Sequence, residues 1–347
     1  MTRKEFVQLS AGLMGGLGIS EVLDEPVRAA EKEGSVAGSV LDESYLVKGL
    51  TGMARSKGWF PAHLGAAVLS GYYLCQGNRL KPEVVAAIKK QLDALIETVT
   101  PEQFEPLPEE PADPALIERI PASLAEAVAG GLRAHGHAVI YTSLTVRALR
   151  AVPEMAQATL IDKLCAHNLA IAKHRPQKPL KPTTYADSGE MVKALFDNLA
   201  RFEPLLGRPS VRRPNFTHMT THTEALLTLD ELGYGELSRA GHLGHQAHVG
   251  ELVPDFDPAG HPVVEAHPSL ETIMGEGFWD SNDHQHQWNQ MWSEKDNPNG
   301  YWIAFGHLFK VLYAYHRLVP LMEDKAKVQL CSRVLLERYF NPQVSGG

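Results

Sequence analysis

The chain has 347 residues, of which 44% are hydrophobic and 21% are charged, a composition typical of globular proteins. Its formal net charge of −8 at pH 7 argues against a nucleic-acid partner, because binding to phosphates requires a basic surface. No apolar run is long enough to cross a bilayer, so we expect no transmembrane segment. Cys75, Cys165 and Cys331 form no CxxC pair and are expected to be small buried hydrophobic residues.

Residues 1–30 resemble a twin-arginine export signal. Arg3-Lys4 precedes a mild Ala/Gly/Leu stretch, and Val27-Arg28-Ala29 is a small-residue cleavage site. Lys4 stands where the pattern has its second arginine. We expect an exported or periplasmic protein whose working chain starts after Ala29. The alternative is a tail on a cytoplasmic protein.

The rest of the chain is predicted to be helical, without a convincing strand. Apolar residues at helical spacing predict a helix over residues 80–97. Asp187-Ser-Gly-Glu190 has the pattern of a capping box at a helix start. Thr221-His-Thr-Glu224 has the same pattern, and Gly233 is the expected stop of that helix. Residues 40–347 are therefore predicted to form one all-helical domain.

A loose repeat runs through this domain. His63, His137, His222 and His307 each stand near the start of an apolar segment, at intervals of 74, 85 and 85 residues. Stacked helix pairs at a fixed period bury a core that no single pair can bury. The spacing favours an all-α fold of helix-pair repeats, closed into an α/α toroid-like array. Such a closed array would bring the four histidines together in one pocket.

Histidine suits a functional site because its unperturbed pKa lies near neutrality and its neutral ring binds metals. The candidate catalytic residues are His63, His137, His218, His222, His307 and Lys310. His218 and His222 are four residues apart, the spacing of a shared metal. A cap at Thr221 would place His218 before the helix, however. This position favours, over a shared metal, the interpretation that the two histidines face a pocket from a helix start. The alternative is that duplication has left one structural histidine in each repeat.

Four of the five tryptophans lie between residues 279 and 302. The segment over residues 278–292 is rich in aromatic and amide side chains, and we expect it to close over an aromatic substrate. The candidate substrate-binding residues are Trp59, Trp279, His284, His286, Trp288 and Tyr313. The alternative is a loop that its tryptophans pin to the helical body.

Four segments carry a family resemblance: WFPAHLGAAVLSGYYL, RAHGHAVIYTSL, FTHMTTHTEALLTL and FGHLFKVLYAY. In this order they resemble the questin oxidase-like family of helical proteins, over roughly residues 45–320. The resemblance implies Baeyer–Villiger-like oxidative ring opening of quinones, with NADPH as a cofactor in some members. Export would remove the protein from the NADPH of the cytoplasm.

Three classes of function follow from these observations. The leading hypothesis is an oxidoreductase that acts on an aromatic or quinone-like small molecule. The second is an exported metal-dependent lyase or hydrolase, because imidazole-rich sites suit zinc, copper, iron or nickel. The third is a non-enzymatic helical binding protein, in which the histidines pack singly against backbone carbonyl groups. No GxGxxG, Walker or GxSxG motif is found.

Overall fold

The computed structural model describes residues 41–77, 80–98, 101–212, 214–264 and 300–340. Within these ranges the chain forms eleven α-helices and no β-strand beyond isolated bridges, which confirms the predicted all-α class. The helices are α1 (Ser44–Ala54), α2 (His63–Gln76), α3 (Pro82–Thr98), α4 (Arg119–Val128), α5 (His137–Ala151), α6 (Ala158–Ala172), α7 (Ser188–Ala200), α8 (Phe216–Glu231), α9 (Gly235–Val249), α10 (Gly300–Leu318) and α11 (Lys325–Arg338). Residues 1–30, where the export signal is predicted, lie outside the described residues.

Two of the predicted helix boundaries are confirmed by their capping geometry. Asp187 precedes α7, and its side chain accepts a hydrogen bond from the backbone N–H of Glu190 at 2.9 Å. Gly233 follows α8 with a φ of +95°, a left-handed conformation that glycine adopts without steric cost. Local sequence chemistry therefore accounts for these two ends.

Four helices form the centre of the molecule. Helix α2 packs on α10, α10 on α8, α8 on α5, and α5 returns to α2, so that the contacts close a ring. Their side chains are almost all buried, whereas the amphipathic helices pack outside them: α1 and α3 on α2, α4 on α5, and α7 and α9 on α8. A toroid built from regular helix-pair repeats remains a prediction, because these contacts establish only the central ring.

Glycines allow the central helices to approach closely. A Cβ atom at Gly306 of α10 would lie 2.6 Å from the Cβ atom of Ala67 on α2, a distance that real side chains do not reach. The adjacent residue, His307, is therefore brought against the start of α2, where His63 lies. This contact decides which part of α10 faces the centre of the ring.

None of the helices in the described ranges is both long and apolar enough to cross a membrane. The three cysteines are buried free thiols, as predicted. Burial raises the pKa of Cys75 and of Cys331 to about 12, so both remain protonated and behave as small hydrophobic groups.

Candidate metal centre

Four histidines converge where the central helices meet. His63, His137, His218 and His307 come from α2, α5, α8 and α10, and each offers one ring nitrogen within 4.8 Å of the others. The Nε2 atom of His137 lies 2.7 Å from Nε2 of His63 and 3.2 Å from Nε2 of His218. The ring of His307 completes the group, with its centroid 5.1 Å from that of His63 and 5.2 Å from that of His218. We call these residues the metal-site histidines.

Hydrogen bonds on the outer side of the rings determine which nitrogen carries the proton. The Nδ1 atom of His63 lies 2.5 Å from the carbonyl oxygen of Phe60, and Nδ1 of His137 faces the carbonyl oxygen of Ala134. In the same way, Nδ1 of His218 lies 2.7 Å from the side-chain oxygen of Asn215. Because these oxygens only accept hydrogen bonds, each Nδ1 donates, and each Nε2 presents a lone pair to its neighbours. Lone pairs only 2.7 Å apart repel each other unless a cation lies between them.

The spacing of the nitrogens around His137 is close to that on a first-row metal ion. Metal–nitrogen bonds to histidine are about 2.0–2.1 Å long, so two nitrogens on one ion lie about 2.8–3.4 Å apart at octahedral or tetrahedral angles. The 3.2 Å between His137 and His218 falls in this range, and a small rotation of either ring would bring the 2.7 Å pair into it. Within the described ranges, no other group of three or more His, Cys, Asp or Glu residues shares this arrangement. The all-imidazole donor set suits zinc, copper, iron or nickel.

Burial keeps three of the metal-site histidines, His63, His137 and His218, neutral, which is the form that binds metals. Desolvation lowers the pKa of His137 to about 3 and holds the pKa of His63 and of His218 well below the ordinary value, and the nearby charge of Lys310 adds to the effect. Lys310 lies one turn beyond His307 on α10 and is 3% exposed. Burial lowers the pKa of its amine to about 7, so a fraction of it is neutral at physiological pH and able to accept a proton.

The prediction that His222 belongs to the converging set is wrong, and His218 takes its place. Helix α8 begins at Phe216, because Asn215 caps it by accepting the backbone N–H of His218 at 3.3 Å. Thr221 is not a cap, since its hydroxyl donates to the carbonyl oxygen of Thr217 within the helix. His222 therefore lies on the second turn rather than at the helix start.

His222 belongs to a separate group, in which His245 and His248 of α9 are its neighbours. Its Nδ1 atom lies 3.2 Å from Nδ1 of His248. His245 is held by Thr223 at 2.9 Å and by the hydroxyl of Tyr185 at 2.8 Å. We call His222, His245 and His248 the second histidine group. The three-residue spacing of His242, His245 and His248 along α9 was a sequence signal for it, and sequence reasoning missed it.

The expectation that all four histidines stand near helix starts is only partly correct. His63 and His137 are the first residues of α2 and α5. His307 is instead the eighth residue of α10, and it reaches the site because α10 packs closely on α2 at Gly306. His63, His137 and His307 nevertheless converge with His218.

The predicted substrate-binding residues have different outcomes. Trp59 is half-buried beside the site, with its ring centroid 5.3 Å from that of His137. Tyr313 lies in another network, where its hydroxyl donates to Glu224 at 2.8 Å and accepts from Arg147 at 2.6 Å. The other four, Trp279, His284, His286 and Trp288, lie outside the described residues.

Comparisons with known proteins find no match for this chain among family models, curated proteins or solved structures. The resemblance to questin oxidase-like proteins therefore remains a prediction.

Proposed function

We propose that the protein is an oxidoreductase that holds a redox-active first-row metal ion between His63, His137, His218 and His307 and acts on an aromatic or quinone-like small molecule. The observation that carries this proposal is the convergence of four ring nitrogens, three of which have their Nδ1–H groups engaged on the outer side. Oxygen acceptors behind metal-bound imidazoles are the usual means of aiming the other nitrogen at the ion.

The number of ligands favours a redox metal over a hydrolytic one. A catalytic zinc ion keeps three protein ligands and one open position, whereas four protein ligands close a tetrahedral site. Iron and copper accept five or six ligands, so an ion held by four imidazoles retains positions for a substrate or dioxygen. When bound, such an ion would supply the electron exchange with dioxygen that oxidative ring opening requires.

The partly exposed side of the site is lined with rings. Trp59 is half-buried, and the exposed ring of His135 stacks on His218 with centroids 5.0 Å apart. A planar aromatic substrate gains stacking contacts between such groups. Lys310, whose pKa lies near 7, would hydrogen-bond an oxygen that becomes negatively charged or take up its proton. These features, together with the four-segment resemblance, support a quinone-like substrate.

The first experiment is metal analysis of the purified protein, followed by oxygen-uptake assays on hydroxyanthraquinones with and without NADPH. We expect about one metal ion per chain in the wild type. His63→Ala and His218→Ala should each lose both the metal ion and the turnover. His316→Leu is the matched control, since His316 is a buried histidine of α10 outside the site. Metal content that is negligible in the wild type, or equal in all variants, would refute the proposed centre.

An exported metal-dependent lyase or hydrolase is the second candidate, because an all-imidazole donor set also suits zinc. Stoichiometric zinc without oxygen uptake would favour this candidate. Absence of both metal and turnover would favour the helical binding protein. Comparison of oxygen uptake with and without NADPH shows whether the protein uses the reductant that the resemblance implies.

A further inference from the structure

The loop before α5 has an unusual backbone. Ala134, His135 and Gly136 have φ angles of +42°, +51° and +79°, so three consecutive residues adopt the left-handed conformation. Residues with a Cβ atom are disfavoured there by contact with the following carbonyl group. In the described ranges, Ala134 and His135 are the only non-glycine residues with a positive φ. Strain of this kind persists where the surroundings impose it, and it is concentrated at functional sites.

The turn directly supports two of the metal-site histidines. It brings the carbonyl oxygen of Ala134 back to Nδ1 of His137, the first residue of α5. It also presents the ring of His135, which stacks on His218, and the Nδ1 atom of His135 lies 3.4 Å from the side-chain nitrogen of Asn215. Asn215 in turn accepts from His218. One strained tripeptide thus supports the rings of ligands from two different helices.

Several contacts hold the turn in place. The backbone of Leu132 exchanges two hydrogen bonds with Gln177, at 2.8 and 2.7 Å. The guanidinium of Arg133 donates to the carbonyl oxygens of Ala129 and His174. On the inner side, Gly136 packs directly on the ring of His222. These contacts come from outside the turn, so the fold as a whole imposes its conformation.

We propose that the turn over residues 134–136 is a positioning device for the metal centre, in which Ala134 is a positioning residue whose strained backbone aims Nε2 of His137 at the ion. This inference rests on the proposed metal centre. Glycine at position 134 would relieve the strain and would also let the turn adopt other conformations, so it should stabilise the metal-free fold and weaken metal binding at the same time. A turn that only reverses the chain would show the first effect without the second.

The test is Ala134→Gly, which permits the left-handed conformation without strain and removes only the methyl group of Ala134, a partly buried group packed on the core. We expect the chelator-treated variant to unfold at a higher temperature than the wild type. We also expect its affinity for Co(II), titrated by visible absorption, to fall about tenfold, the lower end of the effect of altered outer-shell groups. The control is Ala156→Gly in the connection before α6, where φ is −75°. It should lower the unfolding temperature and leave Co(II) affinity unchanged.

The possible outcomes are distinct. A higher unfolding temperature with unchanged Co(II) affinity would overturn the positioning role, and an unchanged or lower unfolding temperature would overturn the strain. Wild-type protein that binds no Co(II) would instead refute the metal centre itself. The failure of this inference is thereby separated from the failure of the proposed function.

Discussion

Gly136 lies between the metal-site histidines and the second histidine group, and its replacement by alanine tests how tightly the two are packed. A Cβ atom at this position would lie 2.7 Å from both Cγ and Cδ2 of His222. That ring is 2% exposed, and its Nδ1 atom is 3.2 Å from His248. Because the ring cannot move without losing this contact, the clash must be absorbed by the backbone of the turn or by α8.

The expected magnitude has two parts. An alanine in the left-handed region costs about 1–2 kcal/mol, of which about 0.4–1 kcal/mol is offset because alanine restricts the unfolded chain more than glycine does. Overpacking against a buried ring adds about 1–3 kcal/mol. The free energy of unfolding of Gly136→Ala should therefore fall by about 1–5 kcal/mol in total.

The chain offers a control that isolates the backbone part. Gly130 has a φ of +76°, close to the +79° of Gly136, and nothing lies within 4 Å of the Cβ position. Urea unfolding of Gly130→Ala should show a loss of about 1 kcal/mol with an unchanged m-value. The excess loss in Gly136→Ala measures the contact with His222. Equal losses in the two variants, within about 0.5 kcal/mol, would show that His222 is not packed against this turn.

Three further predictions follow from buried groups. Burial lowers the pKa of His316 from its ordinary 6.5 to about 4, so the unfolded chain takes up a proton there before the folded chain does. The free energy of unfolding should therefore fall as the pH drops from about 6.5 to 4. In unfolding curves measured at these two pH values, His316→Leu should reduce the difference by up to about 3 kcal/mol. Tyr313→Phe should cost about 1.5–3 kcal/mol, because the hydrogen bonds to Glu224 and from Arg147 are lost, and it should leave KM unchanged. A large rise in KM would show that Tyr313 contacts the substrate. Gly306→Ala should lose about 1–3 kcal/mol through its clash with Ala67 and should weaken Co(II) binding, since α10 must shift His307 away from His63; unchanged affinity would contradict the role of this close contact.

Much of the local structure followed from the sequence. The 3.6-residue periodicity predicted the all-helical class, because an amphipathic helix must bury one face whatever it packs against. The Asp187–Glu190 cap of α7 and the end of α8 at Gly233 were also predicted correctly, since both depend on neighbouring residues alone. The regular spacing of His63, His137, His222 and His307 predicted that these side chains meet, and three of them, all but His222, do so.

The predicted start of α8 is wrong because two possible N-cap residues lie within seven residues of the chain. Thr221 and Glu224 match a capping box, but Asn215 caps the helix one and a half turns earlier. Burial of Phe216 and Met219, each fully inaccessible to solvent, stabilises that longer helix. This burial depends on the packing of α8 against its neighbours, and no local pattern reports it.

Membership of the candidate metal site was decided by tertiary structure alone. His218 and His222 lie one turn apart on α8, so their spacing gives them equal access to a pocket. The backbone of Gly136 fills the space in front of His222, whereas Nε2 of His218 remains 3.2 Å from His137. His307 likewise reaches the site from the middle of α10 only because Gly306 allows contact with α2. The sequence determined which residues are suited to bind a metal. Close packing between helices distant in the chain determined which of them meet, because that packing depends on contacts that spacing along the chain does not encode.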